Sequence, residues 1–319
     1  MTDGAAYLIE GPRPAIRPLA RLLPYAAVAA AAVSWGCWGL IVRRVDAIHP
    51  ILPAMQSTIL FVVMAIVSGI ACLRDRVPGP APWRARAWVA AFGVSDALNV
   101  SLFFAAYKIT IAPAVLAHYL TPIFVALAAP LVLRERLTPR TGFAVAASFC
   151  GLAVMLAPSG AGSSAGLWLS AGLGAASAVF YASNVIINKL VAGSFSTSEV
   201  TFWHCLVAIP CLLAFVPSAG WATADVRAVG FFALASVGPG ALAGLAFVWG
   251  LRRMPAAHAS TLTLLEPLVS VVLGASLMGE TLGATGIAGA ALILGSAAVV
   301  ASAPYKAAQP ASPPAAAAG

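Results

Sequence analysis

Asp96 and Glu266 are the only carboxylates deep within apolar stretches of this chain, and each has polar company at helical spacing. Asp96, Asn99, Phe103 and Tyr107 recur about one turn apart, which stacks them on one helix face, polar at one end and aromatic at the other. That pattern suits the wall of a cavity. It also suits a packing role in which Asp96 hydrogen-bonds a neighbouring helix. At such depth a carboxylate needs a partner or a task, because an uncompensated charge in hydrocarbon is costly.

Glu266 shares a face with Thr263 and Ser270, and Pro267 follows it. Proline has no N–H, so the Thr263 carbonyl is expected to lose its helical partner, and Pro122 should free the His118 carbonyl in the same way. Two bare carbonyls at similar depth would suit an ammonium or amide. Glu266 is then expected either to cap the freed carbonyl or to meet a substrate. A further face, Ser177–Tyr181–Asn184–Asn188, supplies hydrogen bonds, while Ala32–Gly36–Gly39–Arg43 supplies room beside Trp35 and Trp38. Aromatic walls stack flat molecules and attract cations, although aromatic residues also face lipid and membrane interfaces. The expected substrate contacts are therefore the polar groups Asp96, Asn99, His118, Asn184, Thr263 and Glu266, with the aromatic Trp35, Trp38, Phe103, Tyr107, Tyr119, Tyr181 and Trp249.

Other chemistries lack their residues. His118 and His204 have neither a second histidine nor a carboxylate at ligand spacing, so each is expected to hydrogen-bond a neighbour or relay protons rather than hold a metal. The cysteines Cys37, Cys72, Cys150, Cys205 and Cys211 show no metal-ligand spacing and read as small buried thiols. There is no H-E-x-x-H, no P-loop and no pair of intramembrane aspartates, so no cofactor and no catalytic centre is expected.

What positions these residues is a repeated unit. Ala114–Glu135 reads AVLAHYLTPIFVALAAPLVLRE and Ala259–Glu280 reads ASTLTLLEPLVSVVLGASLMGE; one constant offset pairs Ala114 with Ala259, Leu120 with Leu265, Pro122 with Pro267 and Glu135 with Glu280. After a one-residue deletion, Gly142, Ala147 and Gly151 answer to Gly286, Ala291 and Gly295. The pairs Ala147–Gly151 and Ala291–Gly295 should let their helices pack closely on others.

At 61% hydrophobic and 9% charged, with mean hydropathy +0.95, the chain has too little polar surface to cover a soluble globule of 319 residues. Ten apolar runs, about 24–42, 51–73, 87–107, 113–133, 139–157, 166–188, 199–217, 228–251, 256–278 and 281–302, are each long enough to cross about 30 Å of hydrocarbon as a helix. The net charge of +8 falls mostly in the gaps between runs, where it signals topology and not nucleic-acid binding. Most of the Lys and Arg lie on one side when the amino terminus is placed inside, so both termini are expected in the cytoplasm. No removable leader is evident before the first run.

The expected fold is an all-α polytopic membrane protein with ten transmembrane helices in two inverted five-helix repeats. Residues 1–23 form a cytoplasmic segment, 24–157 and 166–302 the repeats, and 303–319 a disordered cytoplasmic tail. Five spans per repeat is an odd number, so the second copy enters the membrane in the opposite sense. Glu135 then faces the cytoplasm and Glu280 the outside. Such repeats build a midplane site that alternates between the two sides, which is transporter architecture.

A proline-centred span ending in glutamate, then leucine, then a span rich in small residues occurs twice: Thr121-Pro122 to Glu135-Arg136-Leu137 with Gly142 and Gly151, and Glu266-Pro267 to Glu280-Thr281-Leu282 with Gly286 and Gly295. This resembles the EamA type of the drug/metabolite transporter superfamily, over all ten spans. The resemblance implies a multi-pass carrier of the bacterial inner membrane, commonly an exporter, with amino-acid exporters the nearest look-alikes and organic cations, drugs or nucleosides as alternative substrates. The partners expected are a small-molecule substrate and the lipid bilayer, with the protein a monomer. An embedded enzyme or a channel is the contrasting reading, and a channel would be expected to show a ring of like groups.

Overall fold

Pro122 and Pro267 interrupt their helices at equivalent points, and the rest of the fold is arranged about those two breaks. The structure, a computed structural model, describes residues 18–109, 111–156, 164–278 and 283–302. The expectations for Glu280, Leu282, the extreme amino terminus and the tail fall outside that set. Among the described residues all regular structure is helical.

Span one is Pro18–Gly36 followed by Trp38–Ile48; span two is Pro53–Cys72 and span three Trp83–Ile109. Span four comprises Ile111–His118 and Thr121–Val132, span five is Pro139–Leu156, span six Ser164–Leu190 and span seven Thr197–Leu213. Span eight joins Val226–Ala235, a π-helical turn Val237–Leu242 and Ala243–Leu251. Span nine comprises Ala256–Leu262 and Leu265–Met278, and span ten is Ala284–Ala301. Eight of these are long and apolar enough to cross a membrane, and spans five and seven are shorter apolar helices, which together make up the ten expected spans. Span seven stops at Leu213 and not near 217, because Pro210 occupies its last turn and Pro217 caps the separate short helix Ser218–Ala222.

Helix starts follow local chemistry. Ser196 and Glu199 form a reciprocal capping box at the entry to span seven. Asp225 caps span eight by accepting from the N–H groups of Ala228 and Arg227, which hold its exposed carboxyl below the usual carboxylate range.

Packing reproduces the repeat. Span six lies along spans three and four, and span one lies along spans eight and nine; span seven packs on three, as span two packs on eight. Spans two and seven pair with each other, as do five and ten, so each mates with its own counterpart. The result is two related groups, spans three, four, six and seven against spans eight, nine, one and two. Spans five and ten cross at Gly151 and Gly289, where a Cβ on either would lie within 2.8 Å of the other's carbonyl oxygen. Bilayer lipid offers helices no hydrophobic gain from association, so such close approach is what holds them. On span ten the close approach expected of Ala291 and Gly295 is made elsewhere: Gly295 faces open space and Ala291 is exposed, and Gly289 carries the contact because it lies on the buried face with Gly286 and Ile293. Large apolar side chains such as Leu127, Leu131, Phe143, Leu234 and Ile287 point outward, as a lipid-facing surface requires.

Candidate substrate cavity

Between the two groups of spans lies a cavity of about 360 Å³, lined from spans one, two, three, four, six, seven, eight and nine. Its first wall is polar. Asp96 Oδ1 accepts from Asn184 Nδ2 at 2.8 Å and, more loosely, from Asn99 Nδ2 at 3.4 Å. Asp96 Oδ2 faces His204 Nε2 at 3.4 Å. The other ring nitrogen of His204 lies 3.0 Å from the Val200 carbonyl, which only accepts, so Nδ1 is the donor there, and Nε2 donates to Asp96 when the ring carries both protons. Phe92 stacks on that imidazole with ring centres 4.1 Å apart.

A second network stiffens the same wall. The Ser177 hydroxyl lies 2.9 Å from Asn99 Oδ1 and 2.8 Å from His118 Nδ1. With one proton to give, Ser177 donates to Asn99 and accepts from His118, tying spans three, four and six together. The His118 ring lies between Phe103, at 4.3 Å, and Tyr181, stacked at 5.4 Å. Fully satisfied buried networks of this kind hold side chains in one arrangement.

The opposite wall is aromatic and glycine-rich. Trp35 packs on Phe247 and Trp38 on Phe232, while Gly240 and Gly244 leave space between them. The π-helical turn has a clear cause: Pro239 cannot donate, and Gly240 and Ala241 both direct their N–H groups to the Ser236 carbonyl at 3.0 Å. A side chain at Gly240 would strike Leu60 of span two at 2.4 Å. Glu266 is the acid on this wall, and the Tyr119 and Tyr181 hydroxyls are its electrostatic neighbours.

The structure brings Trp35, Trp38, Asp96, Asn99, Phe103, His118, Tyr181, Asn184 and Glu266 to the cavity surface. Four other candidates lie elsewhere. Tyr107 is 42% exposed at the end of span three, its ring against Phe103. Trp249 stacks under the Arg253 guanidinium, 4.2 Å from its ring centre, beyond the cavity. Tyr119 is buried behind Glu266, and Thr263 is buried with its hydroxyl donating to the Ser260 carbonyl at 2.7 Å. Ser270 donates to the Gly36 carbonyl and joins spans nine and one.

The expectation of bare carbonyls at the two proline breaks is overturned. The His118 carbonyl accepts from the Thr121 hydroxyl at 2.7 Å, and the Thr263 carbonyl accepts from the Glu266 backbone N–H at 2.9 Å. A tightened turn supplies the partner that proline removes, so the Glu266 side chain is not needed as a cap.

Several lining residues beyond those candidates also carry a signal in the sequence. Gln56, like Asn184, is an amide inside an apolar run, and Gly238-Pro239-Gly240 marks a helix break. His204 was visible as a buried polar group, but its pairing with Asp96 joins spans three and seven, and no spacing within either span encodes that. Among the described residues no group of His, Cys, Asp or Glu is placed to hold a metal ion. No Lys or Arg among the described residues lines the cavity.

The EamA-like transporter family matches residues 22–157 and 168–302, one match to each half of the chain. An uncharacterized transporter of Archaeoglobus fulgidus is 28% identical over 202 residues, which covers 63% of this chain and 71% of that protein. A crystal structure of another protein superposes with TM-score 0.69 at 22% identity, covering 86% of this chain and 95% of the other, a likeness of fold alone.

Proposed function

Because the chain belongs to the EamA-like transporter family and is a multi-pass membrane transporter, we propose that it is a secondary exporter of small metabolites, aromatic or neutral amino acids above all, working by alternating access in the bacterial inner membrane. The observation that carries this reading is the cavity at the interface of the two related groups of spans, with hydrogen-bond acceptors on one wall and aromatic rings on the other. Rocking one group against the other would open that cavity to either side in turn. An ammonium is met by Asp96 and Glu266, and a flat apolar side chain by Trp35, Trp38 and Phe247.

Organic amines are the second reading, favoured by the absence of any Lys or Arg among the described residues lining the cavity to hold a carboxylate. The protein has both termini in the cytoplasm, works as a monomer and performs no covalent chemistry on its cargo. Energy comes from the substrate's own gradient or from a coupled proton.

Counterflow in proteoliposomes tests the proposal. Purified protein loaded with unlabelled L-phenylalanine should accumulate external labelled L-phenylalanine, and related amines should compete. Flux that neither saturates nor responds to any competitor would indicate a channel and overturn the carrier reading.

A further inference from the structure

Asn184 and Asn188 sit one turn apart on span six, 4% and 2% exposed, and both line the cavity. The orientation of Asn184 is set by its partner: a carboxylate oxygen accepts, so the amide nitrogen faces Asp96 Oδ1 at 2.8 Å. Its carbonyl oxygen is thereby turned away from Asp96, and no group among the described residues donates to it. Asn188 Oδ1 is likewise buried without a protein donor. Two buried amide acceptors left without donors on one turn of a cavity wall are costly unless something in the cavity donates to them.

The charges nearby say what that donor is. Asp96 lies against Asn184, Glu266 is on the facing wall, and no Lys or Arg among the described residues lines the space. His204 faces Asp96 Oδ2, and Oδ1 accepts from the neutral amides of Asn184 and Asn99. The site therefore favours a positively charged ligand that carries N–H groups. A primary ammonium has three such donors, whereas a quaternary ammonium has none and an anion would meet only acceptors.

We propose that Asn184, Asn188 and Asp96 form the seat for a primary ammonium group of the transported molecule, with its apolar remainder against the aromatic wall opposite. This rests on the transporter reading above and replaces the proline-freed carbonyls, which the protein satisfies itself. An amine and an amino acid present the same head group, so the seat serves either.

Binding to the purified full-length protein, followed by tryptophan fluorescence, tests the seat with phenethylamine, its N,N,N-trimethyl derivative, 3-phenylpropionate and L-phenylalanine. Phenethylamine should bind at least about tenfold more tightly than the trimethyl compound, the scale of losing hydrogen bonds to a charged group, and more tightly than the carboxylate. In Asn184→Ala and Asn188→Ala that selectivity should collapse to within about threefold. Should Asn184→Ala fail to fold, Asn188→Ala is judged on the same ratio. L-Phenylalanine binding like phenethylamine supports the seat with amino acids as cargo; binding of the amine alone supports it with amines as cargo. Equal affinity for the trimethyl compound, preference for the carboxylate, silence toward all four probes, or variants that keep the wild-type ratio would each overturn the seat. If the seat fails while counterflow of a neutral or anionic metabolite succeeds, the transporter reading stands without it.

Discussion

The two walls of the cavity come from one repeated unit, yet the polar residues that line one of them have no like counterpart in the other half. Asp96 is matched by Ala241, Asn99 by Gly244, Tyr181 by Gly36, Asn184 by Gly39 and Asn188 by Arg43. Away from the cavity the pairing holds: Pro122 and Pro267 break their spans at the same point, and the helix contacts of one group recur in the other. Alternating access requires two backbones with the same packing options, whereas a small molecule presents different chemistry on its two sides. The repeat is thus kept in the backbone and given up in the side chains that line the site.

The sharpest way to break that comparison is to move the acid across the axis. Asp96→Asn should lower counterflow about thirtyfold or more at normal yield and melting temperature, since it removes a charged acceptor from Asn184 and His204. Adding Ala241→Asp to Asp96→Ala should leave the protein inactive, because span eight has a π-helical turn where span three is continuous. Restored flux in that double variant would mean the walls are interchangeable.

Glu266 tests the other wall. Its backbone already closes the proline break, so Glu266→Gln keeps the fold and loses only the capacity for a negative charge at the cavity. Flux should fall about tenfold. Activity near wild type would place all the required charge on the Asp96 wall.

Room is the second wall's other contribution, and two glycines of one helix face separate room from packing. A Cβ at Gly36 would meet the Glu266 carbonyl oxygen at 2.8 Å and Val269 at 2.6 Å, whereas nothing lies within 4 Å of one at Gly39. Gly36→Ala should cost about 1–3 kcal/mol, seen as a lower melting temperature, while Gly39→Ala melts like wild type. Equal melting would show that spans one and nine can shift apart without loss.

The smallest effect is expected where the two groups are tied. Lys189 pairs with Glu135 and donates to the Met254 carbonyl at 2.6 Å, and the other Glu135 oxygen accepts from Ala256 N at 2.7 Å, so one ion pair joins the ends of spans four, six and nine. The residue matching Lys189 in the first repeat, Arg44, is exposed. Lys189→Met should loosen the Glu135 end by about 1 kcal/mol, raising maleimide labelling of Val191→Cys, otherwise buried beside the pair, roughly fivefold. Unchanged labelling would mean that packing alone shuts that end.

The sequence by itself determined the ten spans, the repeat and its inversion, because hydropathy, proline and the count of crossings are properties of the chain read in order. It also marked Asp96, Asn99, His118, Asn184 and Glu266, since a polar group in an apolar run stands out without any partner being known. Tertiary structure alone decided what each of them meets. His204 reaches Asp96 from span seven, Ser177 joins His118 to Asn99, and Tyr107 and Trp249 turn away from the cavity although they share the composition of residues that line it. It decided the proline breaks as well: whether a carbonyl freed by proline stays bare depends on whether the turn tightens and a hydroxyl swings in. Periodicity specifies which side chains share a face of one helix; which helix that face meets, and in what rotamer, follows from packing between spans far apart in the chain.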